Sequence, residues 1–197
     1  MHYPYFFDHI EEIVLKDTLS EVLGAFEGGL ITFNYLDIVK NAGHSCPTIA
    51  GAYLMAREGL KALYGNEIPQ RGAVKVFFKE ELLDGTTGVV ANVFSLITGA
   101  TSEWGFKGLG GRFDRRFLMF FNANIPLHVR LQRVDNGSFV DIAYNPNSVP
   151  SHPEIQQLMV KVLSGVINEE ENDIFRAIWQ ERVRKILENF DKVITIK

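Results

Sequence analysis

The sequence predicts an α+β fold: a mixed β-sheet packed on a central buried helix, with an N-terminal helix and a C-terminal helical extension. Three observations predict it. The segment from Cys46 to Gly65 reads as a helix unusually rich in small residues. A strand signal at Ala73–Phe78 is followed by three more, at Phe117–Phe121, Leu127–Val134 and Phe139–Tyr144. The last stretch carries two helical patterns after a linker marked by Pro146, Pro150 and Pro153.

Taken in order, Asp8 to Phe26 reads as one helix, because Ile10, Ile13, Val14, Leu19, Val22 and Leu23 recur at near-helical spacing. Gly28-Gly29 breaks that pattern. Leu30 to Tyr35 follows as a short strand, and Leu36 to Asn41 as a brief helix. Pro47 suits the first turn of the next helix, where its missing N–H costs nothing, and Gly65 suits its end. Ala50, Gly51, Ala52 and Ala56 let another element approach this helix closely. Val89 to Ile97 could be strand by composition but fits a buried helix ending at Thr98-Gly99. Asp135-Asn136-Gly137 is a strong hairpin turn. In the tail, Ile155–Leu163 is one helix, and a second opens at Asn168, with Glu171 three residues on to complete a capping box. Residues 1–150 thus form the α+β domain, and residues 151–197 a helical extension that packs on the core or on a partner subunit.

Composition narrows the function. The chain has 197 residues, 46% of them hydrophobic, so it can bury roughly two-thirds of its unfolded surface without disulfide or structural metal. Twenty basic against twenty-four acidic residues speak against a dedicated nucleic-acid binder. No window approaches the ~20 uncharged apolar residues that cross a bilayer, and the first residues, Met1 to Asp8, lack the features of a secretory signal. The single cysteine, Cys46, excludes an intrachain disulfide and a four-cysteine zinc site. The expectation is a cytoplasmic protein that binds neither nucleic acid nor membrane.

Two constellations could carry chemistry. In Gly43-His44-Ser45-Cys46-Pro47, an imidazole and a thiol lie two residues apart at a helix start. Unpaired N–H groups there favour a thiolate, so His44 and Cys46 could supply two ligands to a metal or form a nucleophile pair. The bland alternative is a buried cysteine, the commonest state of a free one. The second is the glycine-rich run from Thr98 to Arg116, with Thr98, Thr101, Lys107, Arg112, Arg115 and Arg116 as candidates to bind a small anion. Its order matches neither the phosphate loop nor the dinucleotide fingerprint. Its alternative is a structured surface loop whose arginines pair with Asp114 or Glu103. His9, His128 and His152 read as bystanders, Glu80-Glu81 as a solvated strand end, and Trp179 as core or interface.

The first of these motifs, running into a small-residue helix, resembles the Gly-His-x-Cys-Pro-Gly opening of the FmdE-like family, named for a component of formylmethanofuran dehydrogenase. Val89 to Thr101 is similar, in order, to that family's Cys-x-x-Asp-Ala-Ile-Gln segment, which ends Thr-Gly-Cys-Thr; here the ending is Thr98-Gly99-Ala100-Thr101. The resemblance spans about Leu36 to Phe121, a little under half of the chain. It implies an α+β domain, commonly a homodimer, with a divalent metal, usually zinc, held at His44 and Cys46. The family's remaining ligands do not carry over. Val89 stands at the first cysteine, Asn92 at the aspartate, Ser95 at the glutamine and Ala100 at the last cysteine. The dehydrogenase complex reduces carbon dioxide on its other chains, so the resemblance does not imply that reaction. Three readings follow: a small protein with an open His/Cys metal site; a metal-independent anion-binding protein or thiol enzyme using Cys46 and the glycine-rich loop; and a non-catalytic interaction protein.

Overall fold

The computed structural model describes residues 2–197 and shows a mixed α+β chain. The N-terminal helix expected over Asp8–Phe26 is absent. A 3-10 turn, Tyr5–His9, leads to strand β1, Ile13–Lys16, and a five-residue helix α1, Thr18–Val22. Within the apolar run the spacing at Ile13, Val14 and Leu15 has period two: Ile13 and Leu15 are buried and Val14 is exposed. Helix begins only after Asp17, whose carboxylate accepts the Leu19 and Ser20 amides as an N-cap. β1 pairs antiparallel with β2, Leu30–Phe33, to form a two-stranded ribbon.

Helix α2, Tyr35–Ala42, opens with a capping box between Asn34 and Asp37 and ends on Gly43 at φ 76°. Helix α3, Pro47–Tyr64, begins four residues beyond that glycine and forms the centre of the molecule. From Ile49 to Leu60 every residue except Glu58 is buried. The small residues explain how. A Cβ on Gly51 would lie 2.3 Å from the Tyr144 ring, and one on Gly59 2.3 Å from Ile142, so α3 sits almost flush on the sheet.

That sheet has five strands in the order β4-β3-β5-β6-β7: Met119–Phe120, Val74–Phe78, Val129–Arg133, Phe139–Tyr144 and Ile194–Ile196. The β3–β4 pair is parallel and reached through helix α4, Thr87–Thr98; the other pairs are antiparallel. The strand expected over Phe117–Phe121 shrinks to two residues, because Phe117 (φ 57°) and Asn122 (φ 54°) leave extended backbone. After helix α5, Ile155–Leu163, helix α6, Glu169–Glu188, starts at the Asn168–Glu171 capping box. It buries Val183, Ile186 and Leu187 in the core and is followed by the short α7, Phe190–Val193. The tail then returns as β7, which the apolar spacing did not predict. Among the described residues, no helix is long and apolar enough to cross a membrane.

Candidate functional site

The turn between α2 and α3 carries His44 and Cys46. His44 is exposed, and its Nδ1 lies 3.0 Å from the Ala42 carbonyl, an acceptor, so Nδ1 carries the proton and Nε2 is left free. Cys46 is the N-cap of α3, half-buried, its Sγ accepting the Ile49 amide at 3.5 Å. The turn is held from outside. The Ser45 carbonyl accepts Trp179 Nε1 at 3.0 Å and Gln180 Nε2 at 3.3 Å, both from α6, and Ser45 Oγ meets the buried Tyr35 hydroxyl at 3.1 Å. Burial pushes the Tyr35 phenol well above its ordinary pKa, so it stays a neutral hydrogen-bonding group. Zinc needs three or four protein donors. No third His, Cys, Asp or Glu joins these two, and among the described residues no group of three or more such side chains is placed to hold a metal ion.

The glycine-rich run folds as an arm, with Phe106 bonded to Arg115 and Leu109 to Arg112 through the backbone. Most of its candidate anion ligands are engaged by the fold itself. Thr98 donates to the Phe94 carbonyl at 2.7 Å and accepts the Ala100 amide at 3.2 Å, closing the end of α4. The Thr101 hydroxyl faces the carbonyls of Arg115 (2.8 Å) and Trp104. Arg115 is buried and donates to Asp17 at 2.8 Å; Arg71 reaches the other oxygen of Asp17 at 2.9 Å and also binds the Leu96 and Ile97 carbonyls. Burial raises the pKa of Asp17, but hydrogen bonds from Arg71 and the Ser20 amide, with the charges of Arg115 and Arg71, outweigh it and hold the carboxyl below its ordinary range. Arg116 forms a two-bond pair with Asp114. Lys107 and Arg112 stay at the surface with no carboxylate within 4.0 Å among the described residues, Arg112 lying over the Phe113 ring.

A half-open cavity of about 500 Å³ lies elsewhere, where the first turns of α3 and α4 meet the sheet. Its apolar wall is Met55, Phe78, Val90, Val129 and Pro146. Thr48 of α3, Thr86 and Thr87 at the start of α4, and Tyr144 bring hydroxyls; Glu80, Asp84 and His128 bring titratable groups. Tyr144 is fixed because its hydroxyl donates to the Pro47 carbonyl at 2.7 Å while its ring fills the space over Gly51. Burial raises its phenol pKa well above the ordinary value, so it too remains neutral. His128 Nδ1 accepts the Tyr144 amide at 3.3 Å, which places the proton of the neutral ring on Nε2. Thr86 caps α4 without a side-chain bond to it, so its hydroxyl is not committed to the helix.

Neither His44, Cys46 nor any of the six loop candidates lines this cavity; Thr48, two residues after Cys46, does. Sequence reasoning passed over His128 and Glu80, and named neither Asp84 nor Thr86. The one signal that could have found the place was the small face of α3, which required a large partner such as Tyr144. No known protein family matches the chain, and no curated protein matches it.

Proposed function

We propose that this chain is a small-molecule-binding protein whose site is the cavity between the first turns of α3 and α4. One observation carries the reading: several hydroxyls, two carboxylates and an imidazole converge on a concave apolar wall of ligand-accommodating size. In this reading Met55, Phe78, Val90 and Val129 bury the apolar body of the ligand, and the polar groups at the mouth orient it. Fragment screening by NMR on the wild type and on Val90→Trp tests this reading. Val90 is half-buried at the wall, so an indole in its place narrows the cavity from its apolar side. Hits on the wild type that vanish in the variant are expected; the same hits on both would overturn the reading.

A second reading rests on the free Nε2 of His44 and the Sγ of Cys46. These two would hold a divalent metal, zinc by the resemblance, as an incomplete pair completed by solvent or a partner. Metal analysis of untagged protein against a His44→Ala/Cys46→Ala variant decides it, and equal metal content would end it. The homodimer that the resemblance implies would cover Val160, Leu163 and Val166 around the α5–α6 turn, which are 63%, 79% and 69% exposed. Light scattering of Leu163→Lys should then give half the wild-type mass; an unchanged mass places the interface elsewhere.

A further inference from the structure

Resting on the reading that this cavity holds a ligand, we infer that the ligand is a cationic amine on an apolar body. The ionised side chains that line the cavity are both carboxylates, Glu80 and Asp84, and no lysine or arginine lines it. Among the described residues neither carboxylate has a cation within 4.0 Å, whereas Asp17, Asp114, Asp135 and Asp141 each have an arginine. Two effects compete at this mouth. The start of α4 at Thr86–Thr87 and the first turn of α3 at Thr48 each present about half a positive charge and favour an anion. The two carboxylates present two full negative charges at the same mouth, so a cation is favoured on balance.

The wall strengthens that preference. Met55, Phe78 and Val129 are at most 3% exposed, so the inner wall of the cavity is apolar and suits a hydrocarbon chain or ring. His128 does not compete for the amine. Its Nδ1 is taken by the Tyr144 amide, and its other nitrogen is a donor that an ammonium group cannot use. The amine therefore lies toward Glu80 and Asp84, and its apolar body toward Met55 and Val90.

Isothermal titration with hexylamine, hexanol and hexanoate separates charge from shape, using the wild type, Glu80→Gln/Asp84→Asn and Val90→Trp. Hexylamine should bind the wild type best of the three. The paired carboxamide variant should weaken hexylamine by roughly three- to tenfold and leave hexanol unchanged, since two solvent-exposed ion pairs are removed. Hexanoate binding more tightly than hexylamine, or hexylamine binding that ignores the paired variant, overturns the amine inference and leaves the cavity reading standing. Failure of all three probes on the wild type, or equal binding to Val90→Trp, overturns the cavity reading and this inference with it.

Discussion

The glycine-rich arm and the cavity mouth are both rich in polar side chains, yet they differ in where those side chains point their bonds. In the arm, Arg115 and Arg116 answer carboxylates, and Thr98 and Thr101 answer backbone carbonyls. At the mouth, Glu80 and Asp84 have no ion-pair partner among the described residues, and the hydroxyl of Thr86, the N-cap of α4, makes no bond to its helix. Density of charge along a sequence is therefore a poor guide to a binding site. What distinguishes the two regions is that the fold satisfies the buried and half-buried arginines of the arm, leaving only the exposed Lys107 and Arg112 unpaired, whereas at the mouth both carboxylates face a cavity without a partner among the described residues.

The largest test of that contrast is Asp17→Asn. If Arg71 and Arg115 are there to be paired inside, losing their shared carboxylate leaves two largely buried guanidinium groups uncompensated, at a cost of about 3–5 kcal/mol by urea unfolding. A cost below ~1 kcal/mol, the level of an exposed pair, would make the arm a candidate site again. The same comparison can be made with pH. The folded carboxyl of Asp17 is held below its ordinary pKa, so its contribution is complete above the unfolded value of about 3.9 and is lost as pH falls through the lower folded value. The stability gap between wild type and Asp17→Asn should stay constant above about pH 5 and close as the solution is acidified below about pH 4.

Gly51→Ala comes next. Its methyl meets the Tyr144 ring, and overpacking of this kind costs about 1–3 kcal/mol. It should also disturb the cavity, because displacing the Tyr144 ring, which lines it, strains the bond from its hydroxyl to the Pro47 carbonyl. Unchanged binding of a cavity ligand to Gly51→Ala would show that Tyr144 is not part of the site. The smallest effects should come from Lys107→Ala and from the Glu80→Gln/Asp84→Asn pair, each within about 0.5 kcal/mol of wild type in thermal or urea unfolding. A large loss in the carboxamide pair would mean that these carboxylates support the fold rather than a ligand.

Local chemistry was legible in the sequence wherever one residue type forces one geometry. Asn168 with Glu171 gave the start of α6, Pro47 and Gly65 bounded α3, and Asp135-Asn136-Gly137 gave the β5–β6 turn, where Gly137 takes φ 75°. The failures are of another kind. Ile13–Lys16 looked helical because its neighbours extend the apolar spacing; only pairing with Leu30–Phe33, some seventeen residues away, makes it a strand. Ile194–Ile196 is too short to signal itself and exists because β6 offers a free edge. The site follows the same rule. Thr48, Glu80, Asp84, His128 and Tyr144 come from separate stretches of the chain, and no spacing records that they meet. Arg115 and Asp17 are 98 residues apart, so nothing local distinguishes a buried clamp from a free anion ligand.

Asp17 has a consequence for how the molecule breathes. It caps α1, its amide donates to the Gly29 carbonyl just before β2, and its two oxygens hold Arg71 ahead of β3 and Arg115 at the base of the arm. Three peripheral pieces that would otherwise fray separately share one anchor. Amide hydrogen exchange should therefore protect Lys16, Arg71 and Arg115 to a common degree, as a single cooperative unit that opens without melting the sheet beneath α3.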